Sequence, residues 1–394
     1  MLPVVLFYYN YKKNRDTENV NLGDYVQTLA VEAFCDRFFP DAERILLDRD
    51  ELAFYKGKPA LAIMQGWYSF PGNLDFLPSS DLVPVFVGTH FTMDIRDELS
   101  SPAGDFFRRF REQEIGCRDR STMDFLRASG WNAYFSRCLT LTFPRRRDCP
   151  EKQKKIFWVD VPESFQGLIP PALRQNVETV HQRKGQYQAG KESFFREQAA
   201  DLLKKYRDEA ACVVTTAIHC AMPCAAMGIP VLFLRKNQES MVFERWSALY
   251  GIIPVYTEEE LKNGRIPDRI PDPPEFEELK ENILKNVYFS CLKAMGTKVD
   301  AAEVAAARKY IAEFNRTDAV PFEVLRTKDA AETLCKLRRM EEDLYEVRCS
   351  CSYRIGRFIT WLPRKISGLF RCVKENGWNY TAARFKQKIF HRSQ

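Results

Sequence analysis

No apolar run in the sequence approaches the roughly 18–20 residues needed to span a bilayer. Pro3–Tyr9 is apolar, but it is short. It lacks a basic flank before it and a small-residue cleavage site after it, so it reads as a strand rather than a signal peptide. These absences predict a cytoplasmic protein. The 12 cysteines show no framework spacing, which predicts reduced thiols rather than a disulfide scaffold. Cys220 and Cys224, beside His219, have no second pair of ligand spacing nearby. They read as small buried side chains on a packed helix, and neither a metal nor a cofactor is expected. Internal repeats and low-complexity stretches are absent too. The net charge of +6 is too mild, as a whole-chain average, to suggest a nucleic-acid partner.

What is present describes a globular chain. Of 394 residues, 45% are hydrophobic and 13% aromatic, enough for two cored domains and a tail. The most legible stretch is Ala211–Arg235. Two β-branched runs, Cys212–Thr215 and Ile229–Leu234, read as buried strands. Between them an Ala-rich helix, His219–Met227, ends at Gly228. Strand, helix and strand make a βαβ unit of a parallel sheet. His219 falls at the helix start, where free amides and the dipole favour an anion. Thr215 and Thr216 are candidate caps. An ordinary packing unit with a satisfied polar histidine fits the local pattern equally well.

Further strands are expected at Arg44–Leu47, Ala60–Gln65, Val83–Val87, Ile115–Cys117, Ala133–Thr142 and Ile156–Val161, with helices between them. A polar loop, Asn10–Leu22, precedes a helix opened by Gly23 and Asp24. Gly23 would let backbone approach a ligand, and Asp24 would cap the helix or hold a hydroxyl. Strand ends at Gly66 and at Gly88-Thr89-His90 place Gly66 and His90 at a carboxyl edge, where α/β sheets bind ligands. Arg118 is placed to face an anion, with Asp119 to orient it; a surface ion pair is the plainer reading. The basic stretch Pro144–Lys155 marks a boundary. Expected domains are therefore 1–150 and 151–272, followed by a helical extension, 273–394. Its tail, Arg354–Arg392, carries ten Lys and Arg against one acid, Glu375, interleaved with apolar residues. Such a segment suits an anionic membrane surface or packs on its own domain.

Three segments in order resemble the polysaccharide pyruvyl transferase family. They are Asn21-Leu22-Gly23-Asp24 with Gln27; Gly116-Cys117-Arg118-Asp119 with Thr122, Leu126 and Gly130; and Thr215–Cys224 with Gly228 and Pro230. The resemblance implies an α/β protein: two Rossmann-like domains facing across a cleft, as in GT-B glycosyltransferases. It also implies transfer of the enolpyruvyl-derived unit of phosphoenolpyruvate onto a sugar diol. The acceptor would be a bacterial surface polysaccharide or its lipid-linked precursor, suiting a peripheral position on the inner membrane face. His219, Asp24 and Asp119 become the candidate catalytic groups: His219 for phosphate or proton donation, either carboxylate as base. Asn21, Gly23, Gly66, His90, Arg118, Thr216 and Arg235 become candidate binding residues. The family motif Arg-Leu-His reads Ala217-Ile218-His219 here, which leaves Arg118, Arg235 or Lys236 to supply the missing charge, or another donor, such as a nucleotide sugar, in place of phosphoenolpyruvate. A nucleotide-sugar glycosyltransferase and a non-catalytic glycan-binding scaffold are the other readings.

Overall fold

The apolar run after Pro3 becomes β1 (Val4–Tyr8), with its first four residues buried. A continuous rather than alternating apolar pattern is what a parallel strand covered on both faces requires. The computed structural model describes residues 1–10, 19–68, 74–92, 95, 98–99, 101, 104–186, 190–235, 243–314 and 374. Residues 1–319 form one compact unit, and 320–394 form a second in which only Lys374 is described.

The N-terminal half is built on parallel strands. β3 (Arg44–Asp48), β1, β4 (Ala60–Ile63) and β6 (Leu82–Val85) lie side by side in that order. β5 (Gly66–Tyr68), β7 (Thr89–Phe91), β8 (Ile115–Cys117) and β9 (Ala133–Phe135) form a second parallel row. β4 runs on into β5, and β6 into β7, so the rows are successive stretches of one bent surface. The C-terminal half holds β10 (Lys155–Val159), β11 (Val177–Val180), β13 (Ala210–Thr215), β14 (Val231–Arg235) and β15 (Val255–Thr257). Their spatial order is β11-β10-β13-β14-β15, all parallel. Each half is Rossmann-like, and the chain is α/β.

Helices α1 (Leu22–Phe38), α2 (Asp105–Phe110), α3 (Arg120–Ala128), α4 (Glu163–Gln166), α5 (Glu192–Glu209), α6 (Ile218–Ala226) and α7 (Glu258–Lys262) connect the strands. α8 (Glu277–Ala294) and α9 (Ala301–Glu313) follow. One core, including Ile156, Trp158, Phe165, Val214 and Leu232, lies under the C-terminal sheet. In the N-terminal half Phe106 packs against Phe86, Phe91 and Trp131 with ring centroids within 6 Å. Two backbone links among others join the halves. The 143–154 segment carries the chain across, and β2 (Asn19–Asn21) pairs antiparallel with β12 (Arg183–Gln186).

Several expectations shift. The loop before α1 contains β2. The strand expected over Ala133–Thr142 ends at Phe135, because Arg137 turns into the left-handed region (φ 58) and Leu139–Thr142 coils as a 3-10 turn. Arg137 is buried. Its Nη1 donates to the Ala248 carbonyl (2.9 Å) and the Tyr250 carbonyl (3.2 Å), and its guanidinium stacks on Phe135. Burial, aided by Arg120, lowers its pKa to about 9. The expected helix at Lys328–Glu346 and all of the 354–392 tail except Lys374 lie outside the described residues. No helix among the described residues is long and apolar enough to cross a membrane.

Candidate active site

α1 begins one residue after Asn21, whose side-chain oxygen accepts from Gly23 N at 3.1 Å. Asn21 is therefore the cap expected of Asp24, and Asp24 sits inside the first turn. Buried there, Asp24 Oδ1 accepts from Trp67 Nε1 (3.1 Å) and Gln27 Nε2 (3.3 Å). Gly23 does approach something closely: a Cβ at this position would stand 3.1 Å from His219 Cβ and 3.1 Å from Asn21 Oδ1. The two halves touch at this glycine. Gly23→Ala gains helix propensity but overpacks the junction; we expect a net loss of about 1 kcal/mol, read by urea unfolding. An unchanged or higher stability would show that the junction yields freely.

β13 leads into α6 through Thr215, Thr216 and Ala217. The sequence reading placed a threonine cap here, but the cap residue is Ala217 and no side chain caps the first turn. Thr215 Oγ1 instead accepts from Ala217 N (2.9 Å), and Thr216 Oγ1 donates to the Asp160 carbonyl (2.7 Å). Thr216 thus braces the turn. His219 stands one residue into α6 and is 7% exposed. Burial, reinforced by Arg118, Arg245 and His90, lowers its pKa well below the usual histidine range. It is neutral at pH 7.

Arg118 follows β8 and is fully buried. Its Nη1 lies 3.2 Å from His219 Nε2 and 3.3 Å from Gln27 Oε1. A guanidinium only donates, so His219 Nε2 accepts and its proton sits on Nδ1. That Nδ1 is buried with no hydrogen-bond partner among the described residues, as are Arg118 Nε and Nη2. Three donors at the junction of the halves thus lack a hydrogen-bond acceptor among the described residues, although Arg118 Nε faces Asp119 Oδ2 at 4.0 Å. Native interiors rarely leave such groups without a hydrogen bond, because each costs about 1–3 kcal/mol.

Beside them stands a second pair. His90, on β7, meets Asp119 through Nδ1 and Oδ2 at 2.6 Å. Asp119 Oδ1 also accepts from Thr122 N (3.0 Å) as the cap of α3. Both oxygens are engaged and the residue is fully buried. Burial lowers the His90 pKa to about 4 despite Asp119. The Asp119 carboxyl is pushed up by burial but held at about 2 by His90, Arg118 and the Thr122 amide. The pair is a carboxylate and a neutral imidazole.

Of the predicted residues, the fold brings Asn21, Gly23, Asp24, His90, Arg118, Asp119 and His219 together where strand ends meet α6. Gly66 lies one shell away, against Arg49 and Tyr68. Arg235 turns to the Trp246 ring, 4.9 Å from its centroid. Lys236 lies outside the described residues. Two cations were missed. Arg49, directly after β3, is buried and ion-paired to Asp50 (2.8 Å), with its guanidinium over Trp67 and Tyr9. Arg245 lies on the 3-10 turn Phe243–Leu249, which docks on α3 where Arg120 N donates to Ser247 Oγ (2.9 Å).

Comparison with known families decides the lineage. A family model for polysaccharide pyruvyl transferase matches residues 21–236, more than half of the chain and all three motif segments. The chain belongs to the polysaccharide pyruvyl transferase family. It is accordingly a transferase of polysaccharide biosynthesis, with a polysaccharide as its acceptor class. No curated protein sequence matches it. A solved structure of a functionally uncharacterized protein from Klebsiella pneumoniae subsp. pneumoniae NTUH-K2044 is similar at 14% identity and a TM-score of 0.38, covering 65% of this chain and 93% of that one.

Proposed function

We propose that the protein transfers the pyruvyl unit of phosphoenolpyruvate onto two hydroxyls of a sugar, forming a cyclic ketal and releasing phosphate. The sugar belongs to a bacterial surface polysaccharide or its lipid-linked precursor. One observation carries this reading: fully buried Arg118 bonds His219 across the junction, while Nη2 has no hydrogen-bond partner among the described residues and Nε only faces Asp119 Oδ2 at 4.0 Å. Phosphoenolpyruvate brings a carboxylate and a phosphate, and a planar guanidinium suits either in bidentate fashion.

In this reading Arg118 clamps the donor, and His219 Nδ1–H supplies a second contact. The uncapped first turn of α6 lends its dipole. Asp24, held by Trp67 and Gln27, positions an acceptor hydroxyl. The cationic charge missing at Ala217 comes from Arg118. The chain would act at the cytoplasmic face, with residues 354–392 drawing it to anionic lipid.

A thermal-shift titration tests the donor. Phosphoenolpyruvate at a hundredfold excess over its Kd should stabilise the protein by about 2.7 kcal/mol. Stabilisation by a nucleotide sugar alone would replace this reading with glycosyl transfer. Stabilisation by neither would point to a glycan-binding scaffold.

A further inference from the structure

Ketal formation needs a proton carrier, and this requirement can be stated atom by atom. Two hydroxyl oxygens bond to the donor's central carbon, and the bond from that carbon to the phosphate oxygen breaks. Two hydroxyl protons are released; one ends on the methylene carbon, which becomes methyl, and the other leaves with the phosphate. The charges then balance with no oxidant, reductant or further reactant. Some group must take each proton as the oxygen attacks.

The first-turn groups of the two halves are poorly suited. Asp119 has both oxygens committed to Thr122 N and His90. Asp24 Oδ1 already accepts two hydrogen bonds. His219 Nε2 accepts from Arg118, which leaves its other nitrogen a donor. His90 is different. Nδ1 faces Asp119 Oδ2 at 2.6 Å and the Thr122 hydroxyl at 3.1 Å. An ionised carboxylate there fixes the proton on Nδ1, so Nε2 carries the lone pair. That Nε2 is buried and has no hydrogen-bond partner among the described residues. The ring itself is 2% exposed, clamped between β7 and α3.

We propose that His90 Nε2 is the general base that takes the acceptor's hydroxyl proton, with Asp119 as the positioning residue that sets its tautomer. This rests on the pyruvyl-transfer reading above. The charged groups around the ring are Asp119 from the start of α3, Arg118 beside it, Arg245 from the Phe243–Leu249 turn and His219 from α6. Burial first, then Arg118 and Arg245, keeps the ring neutral against the pull of Asp119, and a neutral imidazole is the form that accepts a proton. A hydrogen-bonded carboxylate–imidazole pair of this kind is the arrangement that activates hydroxyl groups in other settings.

The test uses the full-length chain with phosphoenolpyruvate and a sugar diol, reading phosphate release and the phosphoenolpyruvate-induced thermal shift together. His90→Asn keeps a donor toward Asp119 and removes the base. It should lower kcat at least a hundredfold, leaving the thermal shift and the donor KM within about threefold. Asp119→Asn turns the ring to the other tautomer and should lower kcat similarly, with part of the activity returning at high pH. It carries the test alone if His90→Asn does not fold. A kcat within threefold of wild type in either folded variant overturns the proposal. Loss of the thermal shift in step with kcat also overturns it, since His90 would then serve donor binding. Absence of any phosphoenolpyruvate shift in the wild-type protein defeats the donor reading instead.

Discussion

Arg118→Met will remove transfer activity while leaving the protein folded. Arg118 is fully buried, yet two of its nitrogens bond nothing among the described residues. Its buried partners are Asp119, whose Oδ2 lies 4.0 Å from Nε, Gln27 Oε1 and His219 Nε2. Methionine keeps most of the apolar stem and removes the charge, which relieves the desolvation of the guanidinium but leaves Asp119 without that counter-charge. Stability should fall by no more than about 3–5 kcal/mol, the range for removing one partner of a buried pair. Activity should fall roughly a thousandfold, because a preorganised cation in a dry site is the larger part of the anion's binding and of transition-state stabilisation. Arg118→Lys should recover little of it, since one ammonium does not reproduce a two-pronged fork. Thermal melts beside a phosphate-release assay check both halves. A folded variant that keeps its transfer activity would make Arg118 a structural residue.

Acid should weaken the protein from about pH 6.5 downward. The two buried histidines together outweigh Asp48, whose carboxyl, pushed up by burial to about 6, gains stability as the pH falls toward the ordinary carboxylate range. In an unfolded chain a histidine binds its proton near 6.5, whereas buried His90 does so only near 4. Between those values the unfolded state holds more protons, so each step toward acid favours unfolding. His90 alone withdraws on the order of 3 kcal/mol between pH 7 and 4. His219, whose pKa is lowered for the same first reason, adds a loss of the same sign. Asp119 contributes below this window: its stabilisation is present above the ordinary carboxylate range and disappears toward pH 2. Urea unfolding at pH 7, 5.5 and 4 should show the midpoint falling steadily, and His219→Asn should flatten the curve. A midpoint constant across this range would mean that the two rings are solvated and charged in the native protein.

Much of the framework was readable because parallel strands covered on both faces announce themselves as continuous apolar runs. β1, β4, β13 and β14 are such runs. β2 and β12 are not: Asn-Val-Asn and Arg-Lys-Gly-Gln are too short to show a period, and their strand character exists only because each meets the other. At the site, residue identity was legible but occupation was not. Asp119 reads as an available base until both its oxygens are seen to be engaged. Thr216 reads as a cap until its hydroxyl is found on the Asp160 carbonyl. Arg49 followed the same carboxyl-edge rule that singled out His90. Between Asp48 and Asp50, however, it resembles a solvated charge cluster, and only its place among Tyr9, Trp67 and Tyr68 shows otherwise.

The helices after Glu275 alter where this protein begins and ends as a physical object. Buried Lys280, on α8, donates to the Ala226 carbonyl at 2.6 Å, closing the C-terminal end of α6, the helix that carries His219. Arg308, on α9, lies 3.7 Å from the Tyr134 ring centroid and pairs with Glu114 at 2.8 Å. Arg137, near the end of the N-terminal sheet, reaches out to the Ala248 and Tyr250 carbonyls. The stretch shared with the family stops at residue 236. Cut there, the chain would leave a helix end without its cap and an arginine facing carbonyls that are no longer present. Ancestry and self-sufficiency therefore have different borders in this molecule: the inherited segment names the chemistry, and the residues beyond it keep that segment folded.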